Sequence, residues 1–216
     1  MTETTNAPDH ILIYVHDPMC SWCYGFRPTW QALKKQLPKT LPVVSLLGGL
    51  ADDSDVPMAP ETAAYLKEVW TRIESVCAVP FNYSYWEQKP LPPRTTYIAC
   101  RAVIAAERLA GRGEAFAERI QDAYYNEATN VWDVEVLVNL ATSFGFRGEA
   151  FRSELESADV RAVHDEQRAL AERLEVTGYP SLLLIRDEQG YPIAVRHGDA
   201  DGMLEDIQNL LASPQA

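Results

Sequence analysis

The apolar positions of the first fifty residues form two short runs with a helical pattern between them. ILIYVH (11–16) is apolar and β-branched and predicts a buried strand, and LPVVSLLGGL (41–50) predicts a second one. Pro28 lies inside the helical pattern and predicts a kink. The apolar residues of that pattern recur every three or four positions and define one helix face: Phe26, Trp30, Leu33 and Leu37. A strand, a helix and a strand in this order predict a βαβ unit with a parallel strand pair.

The pattern becomes entirely helical from residue 58 to residue 158, where no strand-like alternation occurs. Asp133 is placed to cap one of the later helices. An earlier helix carries an apolar stripe that is expected to be core: Leu66, Trp70, Ile73 and Cys77.

Strands return after a helix predicted at 159–174. SLLLIRD (181–187) and YPIAVRH (191–197) are separated by the short turn EQG, which predicts an antiparallel hairpin, and an amphipathic helix follows. The sequence therefore predicts an α/β fold in the order βαβ…αββα, with a discontinuous domain at 1–57 and 159–216. A large all-helical domain is inserted between the two parts at 58–158.

Composition narrows the functional classes. The apolar share of 47% and the charged share of 23% are ordinary for a globular protein. The net charge of −12 repels nucleic-acid phosphate, so we expect no nucleic-acid partner. No apolar run is long enough to span a membrane and no export signal is recognisable, so we expect a cytoplasmic protein without a membrane partner. Four cysteines are too few for a disulfide scaffold.

The stretch DPMCSWCYGF (17–26) holds two cysteines with two residues between them. Cys20 lies where the strand gives way to the helix, and the unpaired N–H groups of a helix start favour an anion there. Because the thiolate is the nucleophile, this position predicts Cys20 as the attacking thiol. Cys23 follows one helical turn later as the resolving thiol, and Ser21 and Trp22 lie between them and help to set the potential.

Two other interpretations of this motif remain open. A metal site needs a second pair of ligands, and no further CxxC, CxxH or HxxxH motif occurs in the chain, so we expect no metal within one chain. A cluster that bridges two chains through their CxxC motifs is the remaining metal hypothesis. The third interpretation is a pair of buried structural cysteines.

A second segment, VTGYPSLLL (176–184), places Pro180 directly before a predicted strand. Proline cannot donate to the ladder, so it is restricted to special positions of a sheet. A cis Tyr179–Pro180 bond is typical of such a tight turn, and a trans proline that opens a strand is the alternative.

Together these motifs resemble the thioredoxin fold: a CxxC at a helix start in a βαβ unit, and a distant G-x-P before a hairpin and a last helix. A helical block between the two halves resembles the DsbA family. The start DPMCSWCYGF is most similar to its cytosolic branch, which includes FrnE-like proteins and predicted protein-disulfide isomerases. Related groups are 2-hydroxychromene-2-carboxylate isomerases and kappa-class glutathione transferases.

The resemblance implies roles for individual residues. Cys20 would be the exposed nucleophile and Cys23 the resolving thiol. Pro180 would be a cis-proline that faces the dithiol, and Tyr179 would present its backbone to an extended peptide or to glutathione. The chain departs from the pattern at Tyr14, where thioredoxin-like proteins often carry a buried acid. We therefore expect that His16, Asp17 or water handles the proton of Cys23.

Three functions follow as hypotheses. The first is a thiol–disulfide oxidoreductase or protein-disulfide isomerase that acts on protein thiols, with an unidentified redox partner. It needs no bound cofactor, and glutathione is a candidate co-substrate. The second is a glutathione-dependent isomerase or transferase of small molecules, against which Cys20 argues because such relatives commonly carry Ser there. The third is a non-enzymatic CxxC module that binds metal or acts as a chaperone.

Overall fold

The computed structural model describes residues 10–187 and 189–212, so residues 1–9 and 213–216 of the predicted first domain lie outside the described part. The βαβ unit consists of β1 (His10–His16), α1 (Ser21–Gln36) and β2 (Val43–Leu47). Helix α1 begins at Ser21, before Phe26, which is the first residue of the predicted apolar face, and it continues through Pro28.

The helical segment that follows contains six helices of the α type among the described residues. They are α2 (Pro60–Cys77), α3 (Tyr97–Ala110), α4 (Gly113–Gln121), α5 (Val134–Ser143), α6 (Gly148–Leu155) and α7 (Ala158–Arg173). A 3₁₀ turn (Tyr83–Glu87) precedes α3, and a π-helical turn (Asp122–Asn126) continues α4 without a break. Asp133 caps α5, because its Oδ1 accepts hydrogen bonds from the backbone N–H groups of Glu135 at 2.8 Å and Val136 at 3.4 Å.

The chain closes with β3 (Ser181–Arg186), β4 (Gln189–Ile193) and α8 (Ala200–Ala212). The hairpin is antiparallel as predicted, but the prediction of β4 at 191–197 was wrong. Arg186 pairs with Gln189, so only two residues connect the strands and β4 begins earlier and also ends earlier. Glu188, the first residue of the predicted EQG turn, lies outside the described residues, and the other two belong to β4.

The four strands form one mixed sheet in the order β2-β1-β3-β4. β1 is parallel to β2 and antiparallel to β3, which confirms the parallel pair expected of the βαβ unit. One face of the sheet packs against α1 and α8 through Leu12, Phe26, Leu33, Met203 and Ile207. The other face packs against α7. The mixed α/β architecture with an inserted helical segment is the predicted fold class.

The inserted helices have a core of their own, which is rich in aromatic rings. Trp70 of the predicted α2 stripe is 2% exposed, Ile73 is fully buried, and Leu66 and Cys77 are partly buried against them. Trp70 lies against Phe81 and Tyr125, with ring centroids 4.9 and 5.3 Å away. This core is continuous with the start of α1, which fixes the CxxC segment between the sheet and the inserted helices.

Candidate active site

The turn between β1 and α1 is held by the buried side chain of Asp17. Its Oδ1 accepts a hydrogen bond from the N–H of Met19 at 2.7 Å, and its Oδ2 accepts one from the N–H of Leu50 at 2.9 Å. Burial raises the pKa of the Asp17 carboxyl, and the hydrogen bond from Thr96 opposes that rise. Both carboxyl oxygens are thus occupied in joining the CxxC turn to the loop after β2.

Cys20 is the N-cap residue of α1, at the place where the sequence puts the attacking thiol. Its backbone is extended, and its carbonyl accepts the hydrogen bond from the N–H of Tyr24. The first N–H groups of a helix have no partner within the helix, so they favour a negative charge at this end. The thiol Sγ donates to the carbonyl oxygen of Tyr179 at 3.4 Å.

The expectation that Cys20 is exposed was wrong, because the residue is only 4% exposed. Cys20 lines a cavity of about 210 Å³, which we call the front groove. The walls of the groove are mainly apolar and come from the CxxC segment, α2, the loop before α3 and the π-helical turn; they include Met19, Leu66, Val69, Trp70, Pro93 and Tyr124. A reaction partner can approach Cys20 through this groove.

The front groove also brings together Ser21, Trp22 and Tyr179. The Trp22 ring is held from behind by the His197 ring at 5.1 Å and the Arg72 guanidinium at 5.8 Å. Ser21 and Trp22 are half-buried and therefore available to a bound molecule. Ser21 and Trp22, which lie between the two cysteines in the sequence, and Tyr179, which was predicted to contact the substrate, thus share one cavity with Cys20.

The Tyr179–Pro180 peptide bond is cis. The Tyr179 ring packs against Gly48 at the end of β2, where a Cβ added to the glycine would lie 2.1 Å from Cζ of the ring. Only glycine leaves room for the ring at that point. Pro180 does not line the front groove; it lines an adjoining pocket together with Thr177, Ser181 and residues of the β3–β4 hairpin.

Cys23 lies behind Cys20 and is fully buried. Burial raises the pKa of the Cys23 thiol well above its ordinary value, and the neighbouring Cys20 raises it further. Cys23 therefore holds its proton at neutral pH, and any reaction in which it attacks requires a group that takes this proton.

Two residues of β1 that share a cavity with Cys23, Tyr14 and His16, have aromatic rings. Tyr14 stacks between the rings of His16 and Trp30, with centroids 4.6 and 4.4 Å away. Burial raises the pKa of Tyr14 well above 10, so its phenol stays neutral. Burial also lowers the pKa of His16 to about 4, and its Nε2 lies 2.7 Å from the Ser45 hydroxyl. His16 thus lies on the same face of the sheet as Tyr14. The alternation of residues along the strand had not determined this from the sequence.

Some of the groove residues were not singled out from the sequence as site residues. Trp70 belongs to a helical stripe that was interpreted as core, and it is both core and groove wall. Tyr124 lies in the π-helical turn, which no periodicity indicates. No spacing rule separates a wall residue from a core residue on the same helix face.

The described residues contain neither a cluster of metal ligands, nor a disulfide, nor a membrane-spanning helix. Among residues 10–187 and 189–212, no cluster of three or more His, Cys, Asp or Glu side chains could hold a metal ion. All four cysteines are free thiols. In the same part of the chain, every helix is too short or too polar to cross a bilayer.

The chain is similar to several known proteins. The ClpXP adapter protein SpxH of Bacillus subtilis (strain 168) is 27% identical over 180 residues, which are 81% of this chain and 58% of SpxH. Among solved structures, a candidate protein disulfide isomerase from Nitrosomonas europaea superposes with a TM-score of 0.82 at 24% identity, covering 95% of this chain and all of that one.

The cytosolic disulfide reductase DsbM from Pseudomonas aeruginosa has a TM-score of 0.78 at 27% identity, with coverage of 93% of this chain and 98% of DsbM. DsbM is named a disulfide reductase, and the Nitrosomonas europaea protein shares its fold with this chain. The family model of the DsbA-like thioredoxin domain matches residues 11–206, nearly the whole chain. With the CxxC turn on a four-stranded sheet and helices inserted between its halves, the chain belongs to the DsbA-like thioredoxin domain family.

Proposed function

We propose that the chain is a cytoplasmic thiol–disulfide oxidoreductase in which Cys20 is the nucleophile and Cys23 the resolving thiol. The single observation that carries the proposal is the position of Cys20. It is the N-cap residue of α1 and lines the front groove, and its sulfur lies 3.4 Å from the Tyr179 carbonyl oxygen. Cys23 lies one helical turn behind it and does not line the groove, so it can reach the sulfur of Cys20 but not a groove ligand.

The groove favours reduction of slender, extended disulfides. About 210 Å³ is less than the volume of a site for a drug-sized molecule, so it holds a few atoms on either side of a reacting sulfur. DsbM, the reductase neighbour, has also been solved with glutathione, at a TM-score of 0.77. We infer that the substrates are disulfides in peptide-like segments, and that glutathione returns the oxidised site to the dithiol. The cytosolic location in the name of DsbM supports the cytoplasmic assignment.

The reaction proceeds in two exchanges. The Cys20 thiolate attacks one sulfur of the substrate disulfide, the substrate S–S bond breaks, and the other sulfur leaves as a thiolate that takes a proton from solvent. Cys23 then loses its proton and attacks Cys20, which releases the second substrate sulfur. The substrate gains two electrons, and the protein keeps a Cys20–Cys23 disulfide that two glutathione thiols reduce.

The test compares Cys20→Ser and Cys23→Ser with the wild type in glutathione-driven reduction of a peptide disulfide. We expect Cys20→Ser to abolish turnover, because no other thiol lines the groove. We expect Cys23→Ser to accumulate a mixed disulfide on Cys20 that mass spectrometry detects. Cys77→Ser is the matched control, since it removes a half-buried thiol that does not line the front groove.

Full activity of Cys20→Ser would refute the assignment of the nucleophile. Rapid turnover by Cys23→Ser without a detectable mixed disulfide would refute the two-thiol mechanism. To separate reduction from isomerisation, the same three variants are assayed on scrambled ribonuclease. Faster refolding of that substrate than reduction of the peptide would favour the isomerase.

A further inference from the structure

A second, much smaller cavity is lined by Cys23, which does not line the front groove. It measures about 20 Å³, which is enough for a single water molecule. We call it the rear cavity. It is enclosed by β1, α1 and α4, and its polar or titratable lining includes Tyr14, His16, Cys23, Glu114, Glu118 and Gln121.

Gln121 supplies an acceptor that nothing in the described structure satisfies. The residue is 4% exposed, and its Oε1 is buried without a hydrogen-bond partner. A buried amide oxygen without a donor costs about 1–3 kcal/mol, so such atoms usually bind an ordered water. Since Gln121 lines a cavity of the size of one water, the geometry indicates a water that donates to Oε1.

The acidic residue best placed to take a proton from this cavity is Glu118. It lies three residues before Gln121 on the same face of α4, it lines the cavity, and it is half-buried, so it is also partly accessible to solvent. Its Oε1 accepts a hydrogen bond from Gln31 at 2.7 Å. Glu114 is more exposed, and its Oε1 already accepts from Trp30 at 3.0 Å and from Lys34.

The other ionisable groups around Cys23 are less suited to accept its proton. The Tyr14 phenol is neutral, and His16 is a weak base whose Nε2 is engaged with Ser45. Asp17 does not line the rear cavity, and both its oxygens hold the CxxC turn. Arg27 also lines the cavity, but it is a cation paired with Asp122.

We propose that Glu118 accepts the proton of Cys23 through one water that Gln121 holds in the rear cavity. The inference rests on the proposed function, because it concerns the second exchange. In that step the Cys23 S–H bond breaks, the water takes the proton and passes one of its own to the Glu118 carboxylate, and the Cys23 thiolate attacks Cys20. Glu118 afterwards releases the proton to solvent. Gln121 is a positioning residue for this transfer.

The experiment resolves the two exchanges separately. Reduced protein is mixed with excess glutathione disulfide and acid-quenched at successive times, and mass spectrometry counts the mixed disulfide and the internal disulfide. The variants are Glu118→Gln, Gln121→Leu and the rescue Glu118→Asp, over a range of pH and in D₂O. Glu149→Gln on α6 is the control, because it removes one exposed carboxylate from the inserted helices away from the rear cavity.

We expect Glu118→Gln and Gln121→Leu to form the mixed disulfide at the wild-type rate and to resolve it about a hundredfold more slowly. Glu118→Asp should recover most of the resolution rate, and the wild-type solvent isotope effect on resolution should disappear in Glu118→Gln. Because Glu118 is half-exposed, Glu118→Gln tests the proposal even if Gln121→Leu melts early.

Wild-type resolution in either variant would overturn the proposal, as would equal slowing of both exchanges, which indicates a general loss of structure. Failure of the proposed function gives a different result. In that case no mixed disulfide forms on Cys20 even in Cys23→Ser, whereas failure of the relay leaves that disulfide in place.

Discussion

Two buried histidines make the folded protein sensitive to mild acid. Burial lowers the pKa of His16 and of His164 from 6.5 to about 4, and the residues are 4% and 1% exposed. The Nε2 of His164 donates to the Gly48 carbonyl at 2.9 Å, next to the ring of Tyr179. Because both folded-state pKa values are depressed, the unfolded chain binds more protons between those pKa values.

The sign and size of the effect follow. Stability is full above the unfolded pKa of 6.5 and falls as the pH drops towards the folded pKa of about 4. A difference of about 2.5 units corresponds to about 3 kcal/mol for each histidine. On acidification from about pH 7 to about pH 4 we therefore expect the pair to lower the free energy of unfolding by about 6 kcal/mol, compared with roughly 5–15 kcal/mol for the whole stability of a typical folded protein.

The assay is urea unfolding of the wild type and of His164→Gln at several pH values from about pH 7 to about pH 4. Gln can still donate to the Gly48 carbonyl, so the variant removes the titration and keeps the hydrogen bond. We expect the variant to lose about 3 kcal/mol less than the wild type across this range. The pKa of the Asp17 carboxyl is raised, so its titration stabilises the folded protein as the pH falls. The wild type and His164→Gln share this contribution, so it cancels when their curves are subtracted.

Ile73→Val is the control, because it removes a buried methyl group and no titratable group. It should lower the whole curve by about 0.5–1.5 kcal/mol without changing its slope. If the curves of His164→Gln and the wild type run parallel, the buried imidazole is not the source of the acid sensitivity and the reasoning fails.

Substitutions at three further positions test helix packing and capping. Gly25→Ala would place a Cβ 2.7 Å from Ile73 Cγ2 and 2.9 Å from Cys77 Sγ, so we expect a loss of about 1–3 kcal/mol in urea unfolding. Cys77→Ala alone should lower stability and spare disulfide reduction; combined with Gly25→Ala it should relieve part of the clash, and strict additivity of the two costs would contradict the contact. Asp133→Ala should cost about 1 kcal/mol through the lost cap of α5, while Asp133→Asn should keep most of that stability; equal losses would argue against the cap.

Local patterns were sufficient for the parts of the site that are close in sequence. The apolar run of β1 and the helix face that begins at Phe26 predicted the junction where Cys20 lies. The proline before an apolar strand left cis and trans open, and the cis Tyr179–Pro180 bond that the structure contains was implied by the resemblance to the thioredoxin fold. Asp133 was predicted as a cap because capping depends on the next three residues, and the structure confirms it.

Features that depend on distant segments could not be predicted in this way. Cys20 shares the front groove with Trp70, Tyr124 and Tyr179, which come from three segments far apart in the chain. Likewise, Gln121 and Glu118 have no feature in the sequence that relates them to Cys23, because only the packing of α4 beside α1 brings them to the rear cavity. Periodicity identifies the buried face of a helix or strand, but it does not indicate which other segment packs against that face.

The π-helical turn has a consequence for how the length of this chain can vary. Residues 113–126 form one continuous helix whose last turn is closed by the hydrogen bond from the N–H of Glu127 to the carbonyl of Asp122. Gln121 on one side of that turn faces the rear cavity, and Tyr124 on the other side faces the front groove. Deleting one residue from the turn would restore an ordinary α-helix and rotate the following residues by about 100°. A one-residue insertion or deletion in this helix would therefore alter both sides of the dithiol at once.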